Sequence, residues 1–208
     1  MRIGIIGSGM MGSTLGTLWA KAGHEVRFSS RHPEQLDALV QRVGPSASRG
    51  SIDETAAWAD VAFLGVPLSA MPELSKALAG PLAGKVVLDA NNLIPARDGA
   101  LVDEVKQLGH GTGGWTQAKL PRSSVVKAFN TVHFRNLADA AHRAEGRMGI
   151  PLAGNDARAM KKAEGLVLDA GFEPLFVGDI AASARFDFGT PVWNSNMTGA
   201  QVRHALGL

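Results

Sequence analysis

The chain of 208 residues contains no cysteine and no tyrosine. The first absence excludes disulfides, thiolate nucleophiles and thiolate metal sites, and it suits a reducing cytoplasm, the expected address. With both residues missing, no side chain titrates between histidine and lysine. A small excess of 21 basic over 19 acidic residues is then enough to put the isoelectric point near 9.2. The basic residues form no run that could follow a phosphate backbone, so nucleic acid is not an expected partner. No uninterrupted apolar stretch reaches roughly 18 residues, so no membrane partner is expected either. The apolar start with Arg2 and "AKA" (20–22) imitates a secretory leader. Glycines at phosphate-loop spacing interrupt it, however, and its loss would delete the first strand of the fold. The six histidines (24, 32, 110, 133, 142, 204) contain no i,i+4 pair, so no metal site is expected. There is no G-x-S-x-G elbow for a serine hydrolase.

What is abundant is glycine, 25 residues, together with a hydrophobic share of 45%. Short apolar runs alternate with helical patterns: "RIGII" (2–6), "EVRF" (25–28), "VAFLG" (61–65), "KVVLDA" (85–90) and "SSVVKAF" (123–129) read as strands. A helix is expected over Met10–Ala22, closed by Gly23, another opened by Pro33 and a third over 53–59. Beyond residue 145 a strand (146–154), a capped helix (155–171) and a short strand (173–178) are expected, then a polar loop and a last helix near 200–206. This predicts an α/β protein of the Rossmann type. A doubly wound, mostly parallel sheet (1–130) would continue into a short C-terminal α/β extension (131–208), the whole forming one domain. "GHGTGGW" (109–115) reads as a flexible loop or a flap, because glycine this dense costs ordering entropy.

The glycines at 7, 9 and 12 spell G-x-G-x-x-G between the first strand and the first helix. Gly7 permits the tight turn, Gly9 lets backbone approach a pyrophosphate, and Gly12 allows close helix–strand packing. The N–H groups of Ser8, Gly9, Met10 and Met11 then face the phosphates at the helix start. A carboxylate for the adenosine ribose hydroxyls is expected roughly 20 residues further on. None is there: the place reads Phe28, Ser29, Ser30, Arg31, with Ser30 where the acid would sit. An acid would repel a 2′-phosphate, whereas two hydroxyls and a guanidinium attract it, with His32 as a further candidate. The missing acid therefore favours NADP over NAD. A polar strand-to-helix turn explains the same residues without a ligand.

At this point "GHEVRFSSRHPEQ" (23–35) resembles the "GHEV…GSR" segment of F420-dependent NADP reductases, a fold shared with the cytosolic domain of the STEAP metalloreductases. "LPRSSVVKAFNTV" (120–132) is similar to that group's "LPxxxVVKAFNT" signature, and "PLAGNDARAMKKAEGLVLDAGFEPLFVG" (151–178) to a third segment. The resemblance implies that NADP(H) lies across the strand ends and that a second flat partner, coenzyme F420 or a flavin, stacks near its nicotinamide. It implies that Ser30 and Arg31 hold the 2′-phosphate. Val66 and Pro67 would border the nicotinamide ribose, with Asn91, Asn130 and Thr131 lining the nicotinamide pocket. Without the resemblance, Asn130 and Thr131 are equally explained as a strand-end turn.

Hydride transfer between two rings asks for little acid–base apparatus, which matches a sequence with no catalytic constellation. His133 is the candidate proton donor, although a helix start explains it as well. The tail "RFDFGTPVWNSNMTGAQVRHAL" (185–206) departs from the family pattern. Its Phe188, Trp193 and Met197 form either a platform for a flat substrate or a core edge and homodimer contact. The expected activity is an NADPH-dependent oxidoreductase acting on a small-molecule acceptor. The alternatives are a non-enzymatic NADP sensor and a reductase of small imines or carbonyls. The imine reductases carry a long helical C-terminal dimerisation domain that 208 residues hardly accommodate.

Overall fold

A computed structural model describes all residues from Met1 to Leu208. The N-terminal half lays down five parallel strands with helical crossovers. They are β1 (Arg2–Ile6), α1 (Met10–Lys21), β2 (Glu25–Ser29), α2 (Asp37–Val43), β3 (Ala47–Gly50), α3 (Ile52–Trp58), β4 (Val61–Leu64), α4 (Met71–Leu78) and β5 (Val86–Asp89). Three short helices follow, α5 (Pro95–Asp98), α6 (Val102–Leu108) and α7 (Gly111–Lys119), leading into β6 (Ser124–Lys127). The remainder is α8 (Phe134–Ala140), β7 (Gly149–Gly154), α9 (Ala157–Asp169), β8 (Glu173–Gly178), a 3-10 turn (Ile180–Phe186) and α10 (Gly199–Leu206).

All eight strands make one sheet in the order β3-β2-β1-β4-β5-β6-β7-β8. Every neighbour pair is parallel except β6 with β7, where Val126 faces Gly154. The expected doubly wound α/β sheet with a C-terminal α/β extension is thus borne out, and both halves share the sheet. Strand alternation divides the core. Ile3, Ile5, Phe63, Leu88 and Val126 point to the face covered by α1 and α9, while Ile6, Leu64, Val87 and Val125 point to the face holding Met71, Val105 and Trp115. Trp19 of α1 is fully buried, meets Phe63 and Phe129 edge-on, and donates its indole N–H to the Leu166 carbonyl at 2.8 Å. A buried indole needs such a partner, and this one ties the first helix to α9.

One local expectation is corrected, and one strand was not expected. Residues 109–115 are no flap: from Gly111 onward they form α7, with Thr112 through Thr116 buried. The tail supplies the reason, since the Asp187 carboxylate accepts from the Thr112 N–H at 2.7 Å and from its hydroxyl at 2.5 Å. An acceptor at an N-terminal turn stabilises a helix whose glycines oppose it. The edge strand β3, "ASRG", has too few apolar residues to be read as a strand, and it forms by extending β2 at Val26–Ser29.

Candidate functional site

The strand order reverses between β1 and β4, so a crevice opens above their carboxyl ends, where open α/β sheets bind ligands. Two cavities lie there. One, of about 770 Å³, is walled by Gly7, Ser8, Gly9, Ser29, Ser30 and Arg31, with Leu36, Ile52 and Leu74. The other, of about 380 Å³, is walled by Met11, Asn91, Asn130, His133, Phe134 and Trp193 among others. Val66 and Pro67 line both, so the two cavities adjoin across the crevice and together make up a two-part trough. A long two-part ligand fits such a trough better than a compact one.

The glycine loop fits a pyrophosphate. Gly7 has φ +100°, and a Cβ there would meet the Gly65 carbonyl oxygen at 2.5 Å. A Cβ on Gly12 would lie 2.2 Å from the Gly7 oxygen, so the helix can approach the turn only without a side chain. Gly9 differs, because a Cβ there meets nothing within 4 Å. The bare backbone at Gly9 faces open space, which is what close approach by a phosphate requires. Met10 is exposed and Gly12 sits beneath the loop, so neither lines the trough. The Ser8 hydroxyl donates to the Ser29 carbonyl at 2.9 Å, fastening the loop to the end of β2.

The three β2-end residues separate in role. Ser29 is buried, and its hydroxyl donates to the Ile5 carbonyl at 2.7 Å, so its proton is committed within the sheet. Ser30 accepts from the His32 N–H at 3.0 Å and keeps its own hydroxyl proton free. Arg31 is exposed on the cavity rim and makes no bond inside the protein. The acid in this cavity is Glu73, which is paired with Lys76 at 2.7 Å.

At the other end the chain braces its asparagines. The Asn91 Oδ1 accepts from the Val66 N–H at 2.9 Å, and its backbone N–H donates to Asp89 Oδ1 at 3.0 Å. Lys127 and Asp89, both with fully buried side chains, pair at 3.1 Å, and the ammonium also donates to the Asn91 carbonyl. Losing one partner of such a pair leaves an uncompensated buried charge, at about 3–5 kcal/mol. Phe129 takes φ +63°, a conformation that strains a bulky residue, and it delivers Asn130 into the pocket. Asn130 Nδ2 donates to the Phe186 carbonyl at 2.9 Å, and Asn92 Nδ2 donates to the Asn130 carbonyl at 2.9 Å. Of the four buried side-chain polar atoms without a partner, two lie here: Asn91 Nδ2, a donor, and Asn130 Oδ1, an acceptor; the others are the hydroxyls of Thr55 and Thr116. A carboxamide has the complementary acceptor and donor on one edge, so this pair fits a nicotinamide. Thr131 is buried next to them without lining either cavity.

His133 caps α8: its Nδ1 accepts from the Arg135 N–H at 3.2 Å, and its ring stacks on Phe134 at 4.5 Å. That bond leaves the proton of a neutral ring on Nε2. In the tail, Trp193 reaches the smaller cavity and packs against Phe188 at 4.5 Å, while Met197 turns to the core around Phe186 and Val202. The tail therefore serves the pocket wall through Trp193 and Asn194 and the core through Phe186, Val192, Met197 and Val202, while Phe188 is exposed.

The sequence reading passed over Arg97 and Asp98. The Asp98 side chain is fully buried and accepts from the N–H groups of Ser69 at 3.1 Å and Ile94 at 2.9 Å, and from Arg97 at 2.7 Å. Burial opposes its ionisation, but the bonds from Arg97, Ile94 and Ser69 outweigh it and hold the carboxyl at about 2, below the usual 3.8. Arg97 also donates to the Asn92 carbonyl at 2.8 Å and lines the smaller cavity. The "NNLIPARD" stretch carried no recognisable motif. Only the Pro-Ala-Arg-Asp turn after two asparagines hinted at a built corner.

A 3-2-1-4-5-6 strand order with a glycine loop at the switch point defines a Rossmann-type dinucleotide-binding protein. Within that class, residues 2–93 match the model of the family described as NADP oxidoreductase, coenzyme F420-dependent. The family resemblance read from the sequence is thereby borne out: this part of the chain is similar to NADP-dependent oxidoreductases. The chain is 30% identical over 143 residues to the F420-dependent NADP reductase of Methanothermobacter thermautotrophicus, covering 64% of this chain and 62% of that protein. It is 27% identical over 185 residues to the metalloreductase STEAP3 of Rattus norvegicus, covering 88% of this chain but 35% of that protein. The chain thus spans about a third of the length of that metalloreductase. Among solved structures, a hypothetical protein from Sinorhizobium meliloti superposes with a TM-score of 0.82 at 28% identity, covering 95% of both chains.

Proposed function

We propose that the chain is an NADPH-dependent oxidoreductase that passes hydride between NADP(H) and a flat acceptor, of which coenzyme F420 and flavins are the leading candidates. The observation that carries this reading is the two-part trough whose two ends differ in chemistry. One end has an open glycine loop and an acid-free β2 terminus with a free guanidinium. The other has two asparagines with unpaired polar atoms and an aromatic wall. NADPH bound here would supply a hydride equivalent.

The chain's own residues would do the rest. The loop amides at Gly7, Ser8 and Gly9 hold phosphate, and Ser30 and Arg31 select the 2′-phosphate by charge-assisted hydrogen bonds. Asn91 and Asn130 orient the carboxamide, and the Lys127–Asp89 pair keeps Asn91 in place. Trp193, Phe134 and Val132 exclude water from the pocket, and dryness protects a hydride from side reactions. His133, which lines the same wall, would hold a proton on Nε2. The absence of thiols suits a reducing cytoplasm.

The test is to incubate the protein with NADPH and F420, FMN, FAD or quinones and follow the nicotinamide absorbance. At least one acceptor should accelerate NADPH oxidation. Tight NADPH binding with no acceleration by any acceptor would favour the NADP-sensor reading and defeat this one.

A further inference from the structure

The smaller cavity is walled mostly by apolar and amide groups. Apart from the titratable His133, the one side chain on it that carries formal charge is Arg97. Its guanidinium is fixed rather than mobile. Nε and Nη2 both donate to Asp98, and Nη2 also donates to the Asn92 carbonyl. Asp98 cannot itself meet a ligand, because its side chain is 0% exposed while that of Arg97 is 39% exposed. The carboxylate charge is further spread onto the Ser69 and Ile94 amides. The pair therefore presents its cationic side outward, and Nη1, with two N–H groups, has no partner in the protein. A cation already held by two partners, Asp98 and the Asn92 carbonyl, binds an anion without the entropy cost of ordering a long side chain.

The cofactor does not explain this charge. On the functional reading above, on which this step rests, its diphosphate and 2′-phosphate lie in the larger cavity with the glycine loop and Arg31. The nicotinamide end carries no anion. We propose that Arg97 selects an acceptor bearing an oxyanion, such as a carboxylate, sulfonate or phosphate, on or near its flat ring system. Arg97 would bind that group through Nη1 while Trp193 and Phe134 flank the ring.

The test uses two redox-inert flat probes of one shape, naphthalene-2-carboxylate and naphthalene-2-carboxamide, titrated calorimetrically into the full chain with and without NADP+. The carboxylate should bind about tenfold more tightly than the amide, and Arg97→Gln, which keeps a donor toward Asp98, should erase that preference while leaving amide binding within about threefold. Should Arg97→Gln fold poorly, the wild-type protein still decides. Raising salt from about 50 to about 500 mM should remove most of the preference if a half-exposed charge creates it. Equal affinity for the two probes, binding of neither, or equal loss of both in Arg97→Gln would overturn the proposal. Failure of the functional reading shows separately, as absent NADPH oxidation, and leaves the probe preference intact.

Discussion

Gly9 caps α1 and Gly12 lies in its first turn, three residues apart, yet their substitution should have opposite consequences. A methyl group at position 12 would lie 2.2 Å from the Gly7 carbonyl oxygen and 2.8 Å from Ile5 Cγ2. The nearer atom is backbone and cannot swing aside, so α1 or the loop must shift. Overpacking of this kind costs about 1–3 kcal/mol, and Gly12→Ala belongs at the upper end of that range. At position 9 the backbone has φ −70° and ψ −166°, open to any residue, and the methyl group meets nothing. Gly9→Ala should leave stability unchanged or raise it by about 0.5 kcal/mol, because alanine restricts the unfolded chain. Its methyl group would nonetheless occupy the space into which a pyrophosphate must come, and NADPH affinity should fall about tenfold or more. Urea unfolding without ligand gives the first quantity and calorimetric titration with NADPH the second. A Gly9→Ala protein that binds NADPH as tightly as wild type would refute the placement of the phosphates.

Two further outcomes follow from the opposite end of the trough. The carboxyl of Asp98 is held at about 2 instead of 3.8, so its contribution is fully present above pH ~4 and is lost as the pH falls toward 2. The difference corresponds to about 2 kcal/mol. Between pH 4 and 2, wild type should therefore lose more stability than Asp98→Asn in urea titrations, and parallel curves would argue against it. Trp193→Ala removes an aromatic wall of the smaller cavity but touches nothing in the larger one. It should raise the acceptor KM several-fold with NADPH affinity unchanged; a matching loss of NADPH affinity would show that the two ends do not act separately.

The parts of this protein that sequence revealed are those whose physics is local. A turn that needs φ above zero, a helix that must approach a carbonyl, and an apolar strand each leave their mark on a few adjacent residues, as at Gly7, Gly12 and Ile3–Ile6. The absence of an acid at Ser30 was equally plain, since its meaning depends only on spacing from the loop. What escaped notice depends on partners far along the chain. α7 is helical because Asp187, 75 residues away, accepts from Thr112. Ser29 looked like a ligand-binding hydroxyl, but the Ile5 carbonyl across the sheet takes its proton. Asp98 is a buried, ionised carboxylate because Arg97, Ile94 and Ser69 all donate to it, and Arg97 is in turn fixed by Asp98 and the Asn92 carbonyl. In the tail, Trp193 and Met197 are four residues apart and serve a cavity wall and a core, which side-chain type alone could not separate.

Calorimetric dissociation constants for NADPH and NADH, measured on wild type and on Ser30→Asp, decide whether the acid-free end of β2 selects NADP. Charge-assisted bonds to the 2′-phosphate, at about 1.5–3 kcal/mol, predict that wild type prefers NADPH by about tenfold or more. Ser30→Asp should abolish or invert that preference. Equal affinity for the two cofactors in wild type, or tighter binding of NADH, would contradict the account.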